Sequence, residues 1–162
     1  MTCPLYRRIR ISWLFFRERS RTKPSRRVLT TPRFLFFDPG VRNAAARLGS
    51  APAVLKTQAE LLFENWVGLE LHHRCLRAGR THRLSFWRTA HGAEVDFVLE
   101  TPDETIPIEA KWTESPHSTD TRHLHLFLDA YPERARRAFL VCRCPAPRKL
   151  DDRVTAIPWH AL

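Results

Sequence analysis

Between residues 93 and 112 apolar and polar positions alternate in two successive runs, with Pro102 and Asp103 between them. In the first run Val95, Phe97 and Leu99 point one way and Glu94, Asp96 and Val98 the other. In the second, Ile106, Ile108, Ala110 and Trp112 form the apolar set while Glu109 and Lys111 face oppositely. The pattern predicts strands over 84–89, 93–100 and 105–112, the first turn built on His91 and Gly92. A tight connection at Pro102 and Asp103 places Val95 opposite Ala110, Phe97 opposite Ile108 and Leu99 opposite Ile106, all apolar pairs. On the other face it sets Glu94 against Lys111 and Asp96 against Glu109.

The helical period is strongest over 57–76. Thr57 with Glu60 has the capping-box spacing, Leu62, Trp66, Leu69 and His73 recur on one face with Phe63, Val67 and Glu70 beside it, and Gly79 supplies a stop. A second amphipathic helix is expected over 120–131, with Leu124, Phe127, Leu128 and Tyr131 on one side. The run 138–142 reads as a buried strand and 154–159 as an edge strand limited by Pro158. Upstream, 33–37 reads as a strand, Asp38, Pro39 and Gly40 as a turn, and 41–48 as a short helix before a break over 49–52. The order α-β-β-β-α-β predicts an α/β fold, a mixed sheet flanked by helices.

A length of 162 residues and 43% hydrophobic content suit one domain with a sizeable core. The net charge of +10 is uneven, because residues 1–33 hold ten Arg or Lys and one acid (Glu18) while the remainder is almost neutral. Residues 1–31 are therefore expected to form a basic arm, partly disordered or left over from a longer protein, ahead of a domain over 32–162. Such an arm attracts phosphate backbones. No apolar run approaches the roughly 20 residues that span a bilayer, so no membrane association is expected. Cys3, Cys75, Cys142 and Cys144 form no C-x-x-C pair and no secretory signal is evident, which predicts a reduced, cytoplasmic setting. A zinc site drawn from His72, His73, Cys75, Cys142 and Cys144 matches no standard spacing.

The hairpin carries the candidate chemistry. Two carboxylates about 4 Å apart repel by on the order of 4 kcal/mol at an effective dielectric near 20. Asp96 opposite Glu109 is tolerable if one protonates, if solvent screens them, or if a hard cation such as Mg²⁺ or Mn²⁺ neutralises both. Lys111 shares the face of Glu109, where it can position a water or meet a developing phosphate charge. The plain alternative is a solvated sheet face of mixed charge. Glu64, at the margin of the helical stripe, reads on helix pattern alone as an ordinary solvated glutamate.

Four segments taken jointly carry a resemblance: Phe36-Phe37-Asp38-Pro39-Gly40-Val41-Arg42-Asn43, Leu62-Phe63-Glu64-Asn65-Trp66-Val67, Gly92-Ala93-Glu94-Val95-Asp96-Phe97-Val98 and Ile108-Glu109-Ala110-Lys111-Trp112. Over about residues 28–162 the chain resembles the uncharacterised carboxy-terminal domain that follows the ATPase module of many bacterial and archaeal AAA-type ATP-binding proteins. That family is similar in fold to PD-(D/E)xK nucleases, the restriction-endonuclease-like core. The resemblance implies that Glu64 matches the helix glutamate, Asp96 the metal-binding aspartate, and Glu109 with Lys111 the E-x-K pair. It implies Glu64, Asp96 and Glu109 as Mg²⁺ or Mn²⁺ ligands, a nucleic-acid substrate with DNA favoured over RNA, and an AAA-type ATPase as partner. No G-x-x-x-x-G-K-[ST] sequence occurs, so this chain alone is not expected to hydrolyse ATP. Three functions are consistent with these features: a metal-dependent nuclease, a non-catalytic nucleic-acid or protein interaction module, or a degenerate fragment.

Overall fold

A computed structural model describes residues 13–16, 33–49, 51–79, 81–89 and 92–162. Most of the basic arm expected over 1–31 lies outside the described residues. Within it Trp13–Phe16 form β1, which pairs antiparallel with β2 (Arg33–Phe36). Helix α1 (Pro39–Ala45) follows directly, so Asp38, Pro39 and Gly40 start a helix where a turn was expected. The reason is local. The Asp38 carboxylate accepts the Gly40 N–H at 2.6 Å, and proline is at home in a first helical turn because its missing N–H has no partner there anyway.

Helix α2 (Ala51–Ala78) is longer than the periodicity predicted, because the stretch before Thr57 is helical too. The expected boundary survives as a kink at Gln58, whose φ of −136° and ψ of 24° are not helical. The Thr57 hydroxyl does not cap; it donates back to the Ala53 and Val54 carbonyls at 3.2 and 3.4 Å. Gly79 ends the helix at φ +81°, the left-handed conformation that favours glycine. Phe63, Val67, Leu69 and Leu71 are buried, whereas Trp66 and His73 are exposed, so the buried stripe is shifted to one side of the expected face. Packing decides this: the sheet takes the narrow Phe–Val–Leu stripe together with Gly68, and the bulky Trp66 is left at the margin.

The main sheet is six-stranded and mixed, flanked by helices, in the order β3-β4-β5-β6-β8-β7. Strands β3 (Arg83–Arg88), β4 (Glu94–Glu100) and β5 (Thr105–Ala110) are antiparallel neighbours. After a 3-10 turn (Ser118–Thr121) and helix α3 (Arg122–Ala130), β6 (Ala138–Cys142) runs parallel to β5. Strand β7 (Arg148–Lys149) pairs antiparallel with β8 (Val154–Pro158), which is itself parallel to β6. Strand β8 is thus covered on both sides, not an edge. Pro158 is its last residue, where the missing N–H falls at the end of the ladder.

Two buried clusters cover the two faces. Phe63, Val67 and Leu71 of α2 meet Phe97, Ile106, Ile108 and Ala110; Leu124, Phe127 and Leu128 of α3 meet Val95, Val98, Ala138 and Val154. Asn65 fastens β2 to α2. Its Oδ1 accepts the Phe36 N–H at 2.7 Å and its Nδ2 donates to the Phe36 carbonyl at 2.8 Å, as a neighbouring strand would. Asn65→Ala strips both partners from a partly buried peptide unit and is expected to cost about 2 kcal/mol in urea unfolding. A loss below about 0.5 kcal/mol would show that water replaces the clasp. No helix among the described residues is long and apolar enough to cross a membrane.

Candidate active site

The antiparallel pairing of β4 and β5 follows the expected alignment, with Phe97 opposite Ile108, Leu99 opposite Ile106 and Glu100 opposite Thr105. It stops there. Ser85 lies opposite Val98 but Trp87 opposite Val95, so β4 carries one residue more than β3 between these pairs. This bulge reverses the alternation that put Val95 with Phe97, and Val95 instead joins Val98 beneath α3. It also brings Glu94 opposite Arg88, whose Nε donates to it at 2.7 Å, in place of the expected facing with Lys111. The ladder pairs expected between Val95 and Ala110 and between Asp96 and Glu109 do not form, since the Ala110 N–H donates at 3.0 Å to Oδ2 of Asp96. A side-chain carboxylate has taken the place of a backbone acceptor, and it is 8% exposed.

The opening this leaves is a cleft of about 310 Å³. Glu64 from α2, Asp96 from β4, Glu109 from β5 and Lys111 just beyond β5 all line it, together with Glu60, Asp120, Arg122 and His123. The four residues singled out from the sequence thus share one cavity. They are not gathered into a ready-made metal cage: among the described residues, no three His, Cys, Asp or Glu side chains are set to hold an ion between them. The same holds for the zinc reading of the cysteines and histidines. Burial pushes the Cys142 thiol up to about 11 and raises Cys75.

Lys111 is fixed within the cleft. Its N–H donates to the Val141 carbonyl at 2.9 Å, prolonging the strand's direction, and its Nζ donates to Oδ1 of Asp120 at 2.7 Å. The other oxygen of Asp120 accepts the His117 N–H at 2.9 Å. The hydrogen bond to Asp120 raises the Lys111 pKa against an opposing effect of burial. Burial works to raise Asp120 too, but the His117 N–H and Lys111 outweigh it and hold that carboxyl below its ordinary value. Asp120 was not among the residues expected at the site. No local pattern points to Asp120, because the 3-10 turn before α3 brings it to the lysine only on folding. Three arginines that do not line the cleft have partners elsewhere: Arg88 is held by Glu94, Arg137 by Glu104, and Arg134 by the Thr101 carbonyl.

Fold and cleft define a mixed α/β domain with a lined acidic pocket and one anchored lysine. The chain belongs to the family described as Domain of unknown function (DUF4143), whose model matches residues 60–162. The matched stretch contains every cleft residue named above and leaves out β1, β2 and α1. No curated protein matches the chain.

Proposed function

We propose that this domain is nuclease-like, with a PD-(D/E)xK type of site that hydrolyses phosphodiester bonds with the help of Mg²⁺ or Mn²⁺. One observation carries the reading: carboxylates from three elements distant in sequence line the cleft that also holds Lys111. The donors are all hard oxygens, the kind Mg²⁺ prefers, and that ion keeps several waters while using only one or two carboxylates. The lack of a preset group of three is therefore compatible with it. Asp96 and Glu109 would hold the ion, with Glu64 reaching it directly or through water. When bound, it would supply a water of lowered pKa and neutralise phosphate charge. Asp96 is kept in place by the Ala110 N–H. Lys111, steadied by Asp120, offers its ammonium to the water or to the charge that develops on phosphate. DNA is the favoured substrate, and an AAA-type ATPase the expected partner, which would contribute the ATP hydrolysis.

A second reading, a non-catalytic nucleic-acid or protein interaction module, draws on the absence of a preset metal cage among the described residues. One assay separates them. The chain is incubated with single- and double-stranded DNA in Mn²⁺, Mg²⁺ or EDTA, beside Asp96→Asn. Nicking that needs the ion and vanishes in the variant is expected. Intact DNA in every lane, or cutting that survives Asp96→Asn, leaves the binding-module reading standing.

A further inference from the structure

Trp66, Trp112 and Trp159, three of the chain's five tryptophans, are 36%, 40% and 42% exposed. Their placement is ordered. Strands β5, β6 and β8 are parallel neighbours, and past their carboxyl ends stand Trp112, Arg143 and Trp159 in turn. The Arg143 guanidinium lies 4.2 Å over the Trp112 ring. Helix α2 backs the row, with Phe63 edge-on to Trp112 at 5.4 Å and Trp66 edge-on to Trp159 at 5.3 Å. The row starts beside the cleft, since Lys111 precedes Trp112, and it continues to His160, 5.8 Å from Trp159. Carboxyl ends of parallel strands are where open α/β sheets receive ligands.

We infer that this row is a stacking platform for a single-stranded nucleic acid, whose bases lie on the tryptophans while its backbone is led into the cleft. The assignment rests on the proposed phosphodiester chemistry and names its substrate class. Successive aromatic faces suit unpaired bases, because every base has a π-face and a duplex hides them. Charge does not carry the assignment: the adjoining cleft holds Glu60, Glu64, Asp96, Glu109 and Asp120 beside Lys111 and Arg122, and Arg143 in the row pairs with Glu114, so the affinity rests on stacking. The other exposed large apolar residues, such as Phe37, Leu55, Leu76 and Leu126, form no comparable row of aromatics with an arginine among them.

The test uses the full chain carrying Asp96→Asn, in EDTA, with labelled oligothymidylate, oligouridylate and a duplex followed by fluorescence anisotropy. Neither ion nor cleavage enters, so a failed nuclease assay leaves this result readable, and the reverse. The expected outcome is single-strand binding at least about tenfold tighter than duplex, weakened about tenfold or more by Trp112→Ala and by Trp159→Ala. Trp112→Phe and Trp159→Phe keep a ring and are expected to retain most of the affinity, which separates stacking from loss of fold. Equal affinity for duplex, no measurable binding, or alanine variants that bind like the parent overturn the inference.

Discussion

Gly68→Val, at a buried position of α2, is expected to lower the melting temperature by about 10 °C. A Cβ built on Gly68 would stand 2.5 Å from Leu35 Cδ1 and 2.8 and 2.9 Å from Cε1 and Cζ of Phe97. Leu35 is 2% and Phe97 1% exposed, so neither can swing into solvent to make room. Gly68→Ala sets overpacking of roughly 1–3 kcal/mol against a helix-propensity gain of about 1 kcal/mol, and should be mildly destabilising. Valine adds two methyls to the same wall and gives back much of the propensity, for a net loss on the order of 3–4 kcal/mol. Gly68 lies one turn beyond Asn65, so crowding there also pries β2 from the Asn65 amide. Circular-dichroism melts of both variants decide it. A valine variant melting within about 2 °C of the parent would mean that α2 and β2 approach less closely than described.

The sheet and its helices were legible because their signals are local. Alternation over 93–112 predicted the Phe97–Ile108 and Leu99–Ile106 pairs of β4 and β5, and the run 138–142 was recovered as β6. What the pattern missed depends on neighbours. The bulge at Asp96 arises from the match of β4 to β3, which strand alternation cannot reveal. The exposure of Trp66 while Phe63, Val67, Leu69 and Leu71 are buried depends on the Gly68 gap, although a glycine inside the strongest helix, about 1 kcal/mol worse than alanine there, marks a close approach. Asp96, Glu109 and Lys111 were singled out by residue type and alternation and Glu64 by the family resemblance, and the four line one cleft. Asp120 and the Asn65 clasp were not found, since both act through partners brought near only by folding.

On the proposed nuclease reading, Lys111→Met is expected to reduce metal-dependent cleavage at least about 100-fold while leaving the fold intact. The methionine keeps the length of the side chain and removes only its charge and donors. Loss of stability should be small: Lys111 is 42% exposed in its pair with Asp120, and such pairs contribute at most about 1 kcal/mol. The pH behaviour follows from the two shifts. The raised lysine contributes below its ordinary pKa and loses that contribution as pH climbs through the raised value; the lowered aspartate contributes above its ordinary pKa and loses it as pH drops through the lowered value. Between about pH 5 and 9 the pair is therefore intact, and the rate ratio of parent to Lys111→Met should be flat there. Asp120→Asn keeps the ammonium but loosens it, so its loss of rate should be about tenfold, well short of the lysine variant. If Lys111 served only to anchor the 3-10 turn, both substitutions would lower rate and melting temperature by matching amounts. Cleavage by Lys111→Met at the parental rate would exclude the ammonium from the chemistry altogether.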